Sequence, residues 1–444
     1  MAAMSLEQTV LDRISPDLRH RRFVNRIVSN LIQKVEGDIK DRGLDLEVRL
    51  VGSVAKDTYL RNPDVDLFIM FPTVTPRKDL ENVGLAIGRS VLGGEERYAE
   101  HPYIHGEFEG LEVDLVPCYK IASPLGLKSA VDRTPFHTEY VKSHVSEKQK
   151  ADIRLLKQFA KGIGVYGAEA KTQGFSGYLI ELLILRYGDF RTVLKEASEW
   201  KYGQTLHLAE HSKEKIDSPL IFYDPVDPKR NVASALSLDS FSLFVHACGE
   251  YLRKEDFKFF FPKAGRALDM RAIENEIRSR GTRVIVIEFR RPQIIDDDLY
   301  PQLRKTLEGL KASLEANDFV VIDKTFHIGE TVRFILELQA DFLPKYKRHQ
   351  GPPVWIDNAK EFLEKWKGKG IRRPFIDKGR WIVIAEREYP RAADMIRGRV
   401  GSMALGSDFR GRRGFKVIEH EAALAIDYKE TLTGLLDKRK PWER

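Results

Sequence analysis

Residues 52–72 read GSVAKDTYLRNPDVDLFIMFP, a Gly-Ser turn leading to an apolar strand that carries two acids. Side chains two apart along a strand leave the same face, so Asp64 and Asp66 point one way while Val65, Leu67 and Ile69 point the other, toward a core. Carboxylates crowded at one end of a strand repel each other, and a bound cation relieves that repulsion. A second run, LEVDLVPCYK, sets Glu112 and Asp114 on one face with Val113 and Leu115 on the other. Pairing it beside LFIMF brings Asp114 to Asp64 and Asp66. A single Asp on a strand is more often a solvated edge residue, but three carboxylates in a small volume are a ligand set for Mg²⁺, which prefers hard oxygen donors. Two such ions polarise both the attacking and the departing oxygen of an in-line displacement.

A phosphate site is expected just upstream. Gly52 lets the backbone approach a ligand, Ser53 supplies a hydroxyl and begins a helix, and Lys56 adds positive charge. Alone, a Gly-Ser pair before a helix is ordinarily a cap. Its nearness to the DVD strand puts triphosphate and metal side by side. Walker-type kinase or ATPase chemistry is not expected, because no GxxxxGK[ST] occurs.

At 444 residues the chain exceeds one usual core. Strand and helix periods alternate to about residue 150 (α+β), helical spacing dominates 151–255, and a second α+β region fills 256–444. The fold class is therefore α+β multidomain. The first twenty residues are interrupted by Glu7, Asp12 and Arg13 and no run is apolar enough to span a bilayer, so a cytoplasmic protein without membrane contact is expected. Cys118 and Cys248 read as buried free thiols and make no zinc framework. Net charge is +7, and most of the surplus lies between residues 344 and 373, where nine Lys/Arg face three acids and Trp355 and Trp366 are interleaved. Lys365, Lys367 and Lys369 in that stretch are candidate RNA contacts, with a solvated helix face as the equal alternative.

The GS turn, the DVD strand and the later single Asp resemble the nucleotidyltransferase signature of the polymerase beta superfamily. Further segments, among them RYAEHPYIHG, SAVDRTPFH, RLLKQFAKGIGVYGAEAKTQGFSGYLIELL, DPVDPKRNVASALS and IIDDDLYPQL, resemble the archaeal, class I CCA-adding enzymes, most clearly from about residue 46 to 305. The resemblance implies an N-terminal nucleotidyltransferase domain (1–150), a helical central domain completing the nucleotide pocket (151–255) and a C-terminal tRNA-binding region (256–444). It implies template-independent addition of CCA to tRNA from CTP and ATP. Asp64, Asp66 and Asp114 would hold the metal ions, two during catalysis, with Asp114 placed to help activate the RNA 3′-hydroxyl. Ser53, Thr134, His137, Lys157 and Tyr166 match triphosphate contacts, and Lys56 stands where the family commonly has Arg, which alone grips phosphate bidentately. Arg230 matches the arginine that chooses C or A; a guanidinium fork of donors suits the acceptor-rich edge of cytosine. Tyr98 and His101 match neighbours of that base.

From the residues alone, His137 reads as an interior imidazole, Lys157 as a helix-face charge, Tyr166 as a packed ring and Arg230 as a loop arginine in a surface salt bridge. Competing functions are a poly(A) polymerase or other RNA terminal nucleotidyltransferase, and a non-catalytic RNA-binding relative; the intact acidic set argues against the second. A homodimer is left open.

Overall fold

The computed structural model describes residues 5–98, 100–209, 216–411, 414–425 and 428–444. These form two compact units, one of residues 1–265 with 439–444 and one of 266–438. The sequence boundary expected at 255 thus lies inside the first unit, and so does the one at 150.

In the first unit, helices α1 (Leu6–Ile14) and α2 (Leu18–Asp41) precede strand β1 (Glu47–Val51), the turn α3 (Gly52–Ala55), β2 (Val65–Pro72), α4 (Arg77–Leu92), β3 (Glu95–Tyr98), β4 (Pro102–Phe108) and β5 (Leu111–Lys120). The five strands are ordered β1-β2-β5-β4-β3, with β2 and β5 parallel and the other neighbours antiparallel. Helix α2 is capped by Asp17, whose side chain accepts from the His20 N–H, and its apolar residues Val24, Ile27, Val28, Leu31, Val35 and Ile39 recur at three- and four-residue spacing. That stripe packs against Val65, Leu67, Ile69, Val113 and Leu115, which are one face of the sheet. The opposite face carries Asp66 and Asp114, then continues as buried Phe68, Met70, Val116 and Cys118. Acids and apolar residues therefore share a face, with the acids at one end of it.

Helices α5 (Thr134–His144), α6 (Glu147–Gly162), α7 (Gly177–Tyr187), α8 (Phe190–Ala197) and α9 (Leu238–Arg253), with short parallel strands β6 (Gln204–Leu206) and β7 (Leu220–Phe222), complete the unit. Their core gathers Ile153, Phe159, Leu179, Leu183, Phe244 and Tyr251, and it includes Val10 and Ile14 of α1 and Trp442. Both cysteines are buried and free.

The second unit holds α10 (Met270–Arg280), β8 (Arg283–Arg290), α11 (Asp296–Ala316), β9 (Val321–Ile328), β10 (Thr331–Leu338), β11 (Tyr346–Pro353), α12 (Ala359–Trp366), β12 (Phe375–Asp377), β13 (Arg380–Glu386), α13 (Ala392–Arg399), β14 (Lys416–Ile418), α14 (His420–Leu424) and α15 (Lys429–Leu436). Its strands make an antiparallel sheet β14-β8-β10-β9 and a smaller one, β11-β13-β12. Among the described residues no helix is long and apolar enough to cross a membrane.

Candidate active site

The parallel register of β2 and β5 sets Asp66 directly opposite Asp114. Strand β2 begins at Val65, so Asp64 is a loop residue at the mouth of the site rather than a strand residue, and it is exposed where Asp66 is half-buried. Gly52 follows β1, whose Val51 pairs with Asp66. Its φ is 69°, and a Cβ built there would fall 1.9 Å from Asp66 Oδ2. Only glycine meets both demands, the left-handed backbone and the carboxylate in contact with it. The helix expected from Ser53 is a single turn, too short for an appreciable dipole, and the Ser53 carbonyl accepts the Thr58 N–H at 3.0 Å. What remains of the expected phosphate cradle is the Gly52–Ser53 backbone and the Ser53 hydroxyl.

Electrostatics at the acids follow from crowding. Burial first, then the Asp114 charge, push the Asp66 carboxyl up to about 6. The same two causes raise Asp64, which keeps an exposed surface. His105 on β4 lies between Asp114 Oδ1 (Nδ1, 2.7 Å) and Glu112 Oε2 (Nε2, 2.7 Å), fixing the outer side of Asp114. Sequence reading missed His105, although it alternates onto the acid face of β4 and pairs with Asp114. Among the described residues no three His, Cys, Asp or Glu side chains form a ready-made cation cage. Asp64, Asp66 and Asp114 are instead an open set of hard oxygen donors that repel one another, chemistry that fits a divalent ion such as Mg²⁺.

This predicts a pH effect. A half-buried carboxyl whose folded pKa is about 6, above the ordinary 3.8, costs stability once ionised, and the cost is relieved as pH falls from 6 toward 3.8. Asp66→Asn, unfolded in chelator, should be more stable than the parent by about 1–3 kcal/mol at pH 7.5, with the gap closing by pH 4. A gap independent of pH would show that Asp66 is not strained by its charge.

Lys56 and Lys157 converge on a residue that sequence reading missed, Glu181. Lys56 Nζ donates to Oε2 at 2.6 Å, Thr58 Oγ1 to Oε1 at 2.6 Å and Lys157 Nζ to Oε1 at 3.2 Å. All four side chains are buried. Lys157 is thus an interior ammonium, neither a helix-face charge nor a free hand for phosphate, and burial lowers it to about 8. Burial opposes ionisation of Glu181, yet the Lys56 and Lys157 charges outweigh it and hold the carboxyl down at about 2. Two ammoniums against one carboxylate leave one positive charge beside Asp66, whose ionisation both lysines favour. Tyr166 closes this corner: a Cβ on Gly177 would lie 3.1 Å from its Oη and 3.9 Å from Lys157 Cε.

A second cluster gathers His137 and Arg230. Thr134 and His137 lie one turn apart on α5, hence on one face. His137 stacks on Tyr178 at 4.0 Å between ring centroids and 19° between planes, and its Nε2 meets Asp224 Oδ2 at 2.8 Å. Arg230 Nη1 donates to the same oxygen at 3.0 Å. The salt bridge expected of a loop arginine is therefore present, but with a fully buried carboxylate.

Tyr98 and His101 are not brought to the acids. His105 is the β4 residue opposite Asp114, whereas Tyr98 pairs with Pro102 and His101 packs edge-on against Tyr119, at 6.4 Å, five residues along β5 from Asp114. At strand rise that is roughly 16 Å from the carboxylates. His101 is 1% exposed with Nδ1 3.4 Å from Glu81, and Tyr98 is exposed on the edge strand.

In the second unit Lys365, Lys367 and Lys369 are exposed at the end of α12, where Lys367 makes only a solvated pair with Glu364 at 3.6 Å. Lys345, Lys347 and Arg348 are paired with Glu386, Asp318 and Asp377, acids outside residues 344–373, so the local surplus of positive charge is smaller than the sequence suggests.

Residues 32–137 match the family described as nucleotidyltransferase domain, 151–261 that described as tRNA nucleotidyltransferase, second domain, and 280–420 that described as CCA-adding enzyme, C-terminal domain. The CCA-adding enzyme of Methanosarcina acetivorans is 41% identical over 93% of this chain and 93% of its own length. That of Methanosarcina barkeri is 40% identical over 94% of each chain, and that of Methanothermobacter thermautotrophicus 38% identical over 98% of each. With similarity running through all three regions at nearly full length, the chain belongs to the family of archaeal CCA-adding enzymes, which are tRNA nucleotidyltransferases.

Proposed function

We propose that this protein is a cytoplasmic tRNA nucleotidyltransferase that builds or repairs the 3′-terminal CCA from CTP and ATP without a nucleic-acid template. The terminal RNA 3′-hydroxyl oxygen attacks the nucleotide α-phosphorus, the bond to the β-phosphate oxygen breaks, and pyrophosphate leaves. The observation that carries this reading is the facing pair Asp66 and Asp114, with the Gly52 backbone against Asp66, inside a chain similar to CCA-adding enzymes along its length. Asp64, Asp66 and Asp114 would hold Mg²⁺, two ions in our reading, which when bound neutralises triphosphate charge and favours the ionised 3′-hydroxyl. Gly52 and Ser53 line the approach of the phosphates. The single positive charge left by Lys56, Lys157 and Glu181 favours their presence while keeping both ammoniums fixed. Asp114, held by His105, is oriented before substrate arrives. A poly(A) polymerase would use the same acids, and sequencing the product separates the two: tRNA ending before CCA, incubated with Mg²⁺, CTP and ATP, should gain C, C and A in that order. A run of A would overturn the reading.

We assign Arg230 to the base edge. Arg230→Ala should lower kcat/KM for CTP and ATP by about 10–100-fold and loosen selection against UTP and GTP, because a guanidinium has no substitute as a planar donor fork. An unchanged ratio among the four nucleotides in single-turnover assays would defeat this assignment.

Lys365, Lys367 and Lys369 are proposed to meet the tRNA backbone. Helical RNA hides its base edges in a deep, narrow groove, so an enzyme accepting many tRNAs reads phosphate, 2′-hydroxyl and shape. The triple Ala variant should raise the apparent KM for tRNA far more than that for CTP and flatten the log–log salt slope by roughly 0.7–0.9 for every phosphate that a lysine no longer neutralises. Parental affinity and parental salt dependence would place the RNA-binding surface elsewhere.

A further inference from the structure

Asp224 opens the DPVDPKRNVASALS segment, in which only Arg230 was given a role, and it receives four hydrogen bonds. Val226 N–H and the Tyr178 hydroxyl donate to Oδ1 at 2.9 and 3.1 Å, while His137 Nε2 and Arg230 Nη1 converge on Oδ2 at 2.8 and 3.0 Å. Its backbone N–H also donates to the Arg230 carbonyl at 3.0 Å, closing the 224–230 loop on itself. Burial opposes its charge, but the His137 hydrogen bond, the Val226 N–H and the Arg230 guanidinium prevail and hold its pKa at about 2. Arg230 keeps an exposed edge, 32% of its side chain, and its Nη2 and Nε meet no acceptor among the described residues.

The two oxygens divide their labour. Oδ1 organises the loop and α7, whereas Oδ2 holds the candidate base reader and a candidate triphosphate contact. We propose that Asp224 is the positioning residue for nucleotide choice, joining Arg230 and His137 through one oxygen so that base reading and triphosphate grip are set as a unit. The proposal rests on the reading of Arg230 and His137 as nucleotide contacts.

Asparagine at this position isolates the effect. Its amide oxygen must face Val226, whose N–H can only donate, which turns the NH₂ toward His137 and Arg230. The Tyr178 hydroxyl remains satisfied beside that oxygen. His137 adapts by switching tautomer and accepting with Nε2. Arg230 has no acceptor form and is left without its anchor. Asp224→Asn should therefore lower kcat/KM for CTP by about 10–100-fold and the CTP-over-UTP ratio by about tenfold, with the apparent KM for tRNA unchanged. Combined with Arg230→Ala, it should cost no further selectivity. A D224N variant with parental selectivity, or one that loses all four nucleotides uniformly together with its melting temperature, overturns the proposal by making Asp224 a loop clamp. Should D224N not fold, Arg230→Ala and His137→Gln supply the test: the cycle should be non-additive by about fivefold or more, on the order expected for coupled side chains, and additivity overturns the proposal. A parental protein that adds no CMP to tRNA lacking CCA would overturn the functional reading and this inference with it. A parental protein that does, beside an indifferent D224N, sinks the inference alone.

Discussion

Replacing Asp114 or Asp66 with Ala should lower CMP and AMP incorporation by at least about 10³-fold while leaving fold and tRNA binding in place. The two acids face each other across parallel strands, and each substitution removes a donor from a set too sparse to spare one. Stability should not suffer at neutral pH, because Asp66 is held ionised against burial and the Asp114 charge, and deleting either partner relieves that repulsion. The assay is single-turnover addition to tRNA ending before CCA, read beside thermal unfolding and a tRNA binding isotherm. An active variant would refute the metal assignment, and an unfolded one would refute the claim that the acids are a functional burden carried by the sheet.

Glu181→Ala should be the most destabilising of the site substitutions, by about 3–5 kcal/mol, because it strands two buried ammoniums. Lys56, Lys157 and Thr58 all donate to this carboxylate, which has no exposed surface. The pH dependence has a definite sign. Glu181 titrates at about 2, below the ordinary 4.5, so its contribution is fully present above pH 4.5 and fades only as pH falls toward 2. In the variant Lys157, deprived of its counter-charge, sheds its proton below the pH of about 8 at which it does so in the parent, so the gap between the two proteins should narrow as pH rises toward 8 and be flat above it. Denaturant unfolding of both proteins checks this, and a destabilisation below about 1 kcal/mol would mean the two lysines find other partners. The KM for CTP should also rise, since both ammoniums move.

The strand face that carries Asp66 and Asp114 was legible because a two-residue period needs only local sequence. LFIMF and LEVDLVPCYK announce which side is core, and the acids fall on the other. The resemblance to CCA-adding enzymes likewise pointed to a nucleotidyltransferase domain followed by helical and C-terminal domains, the order in which the family matches fall. What local pattern could not supply was long-range pairing. Glu181 sits as the one acid in GYLIELLILRY, a signal for a buried charge, but its partners are 24 and 125 residues distant. Asp224 lies in a Pro-rich loop where an acid ordinarily reads as a turn residue. Tyr98 and His101 were placed beside the base by motif similarity alone; the register of β3, β4 and β5 sets them along the sheet from Asp114, with His101 against Tyr119. The charge surplus near α12 is smaller in the fold than along the sequence, since Asp318, Asp377 and Glu386, which pair with Lys347, Arg348 and Lys345, lie beyond the basic stretch.

Trp442 stacks on Phe259 at 5.0 Å and 18°, sealing the aromatic core of the first unit with residues made after the whole of the second. On the ribosome, the helices that frame the nucleotide site emerge early but wait for that indole. Until residue 442 has left the exit tunnel, Phe259 lacks its stacking partner, and the cluster it forms with Phe159 and Tyr251 is open on that side. The order of synthesis thus runs against the order of packing, and a nascent chain stalled in the second unit would carry all three carboxylates without a finished scaffold behind them.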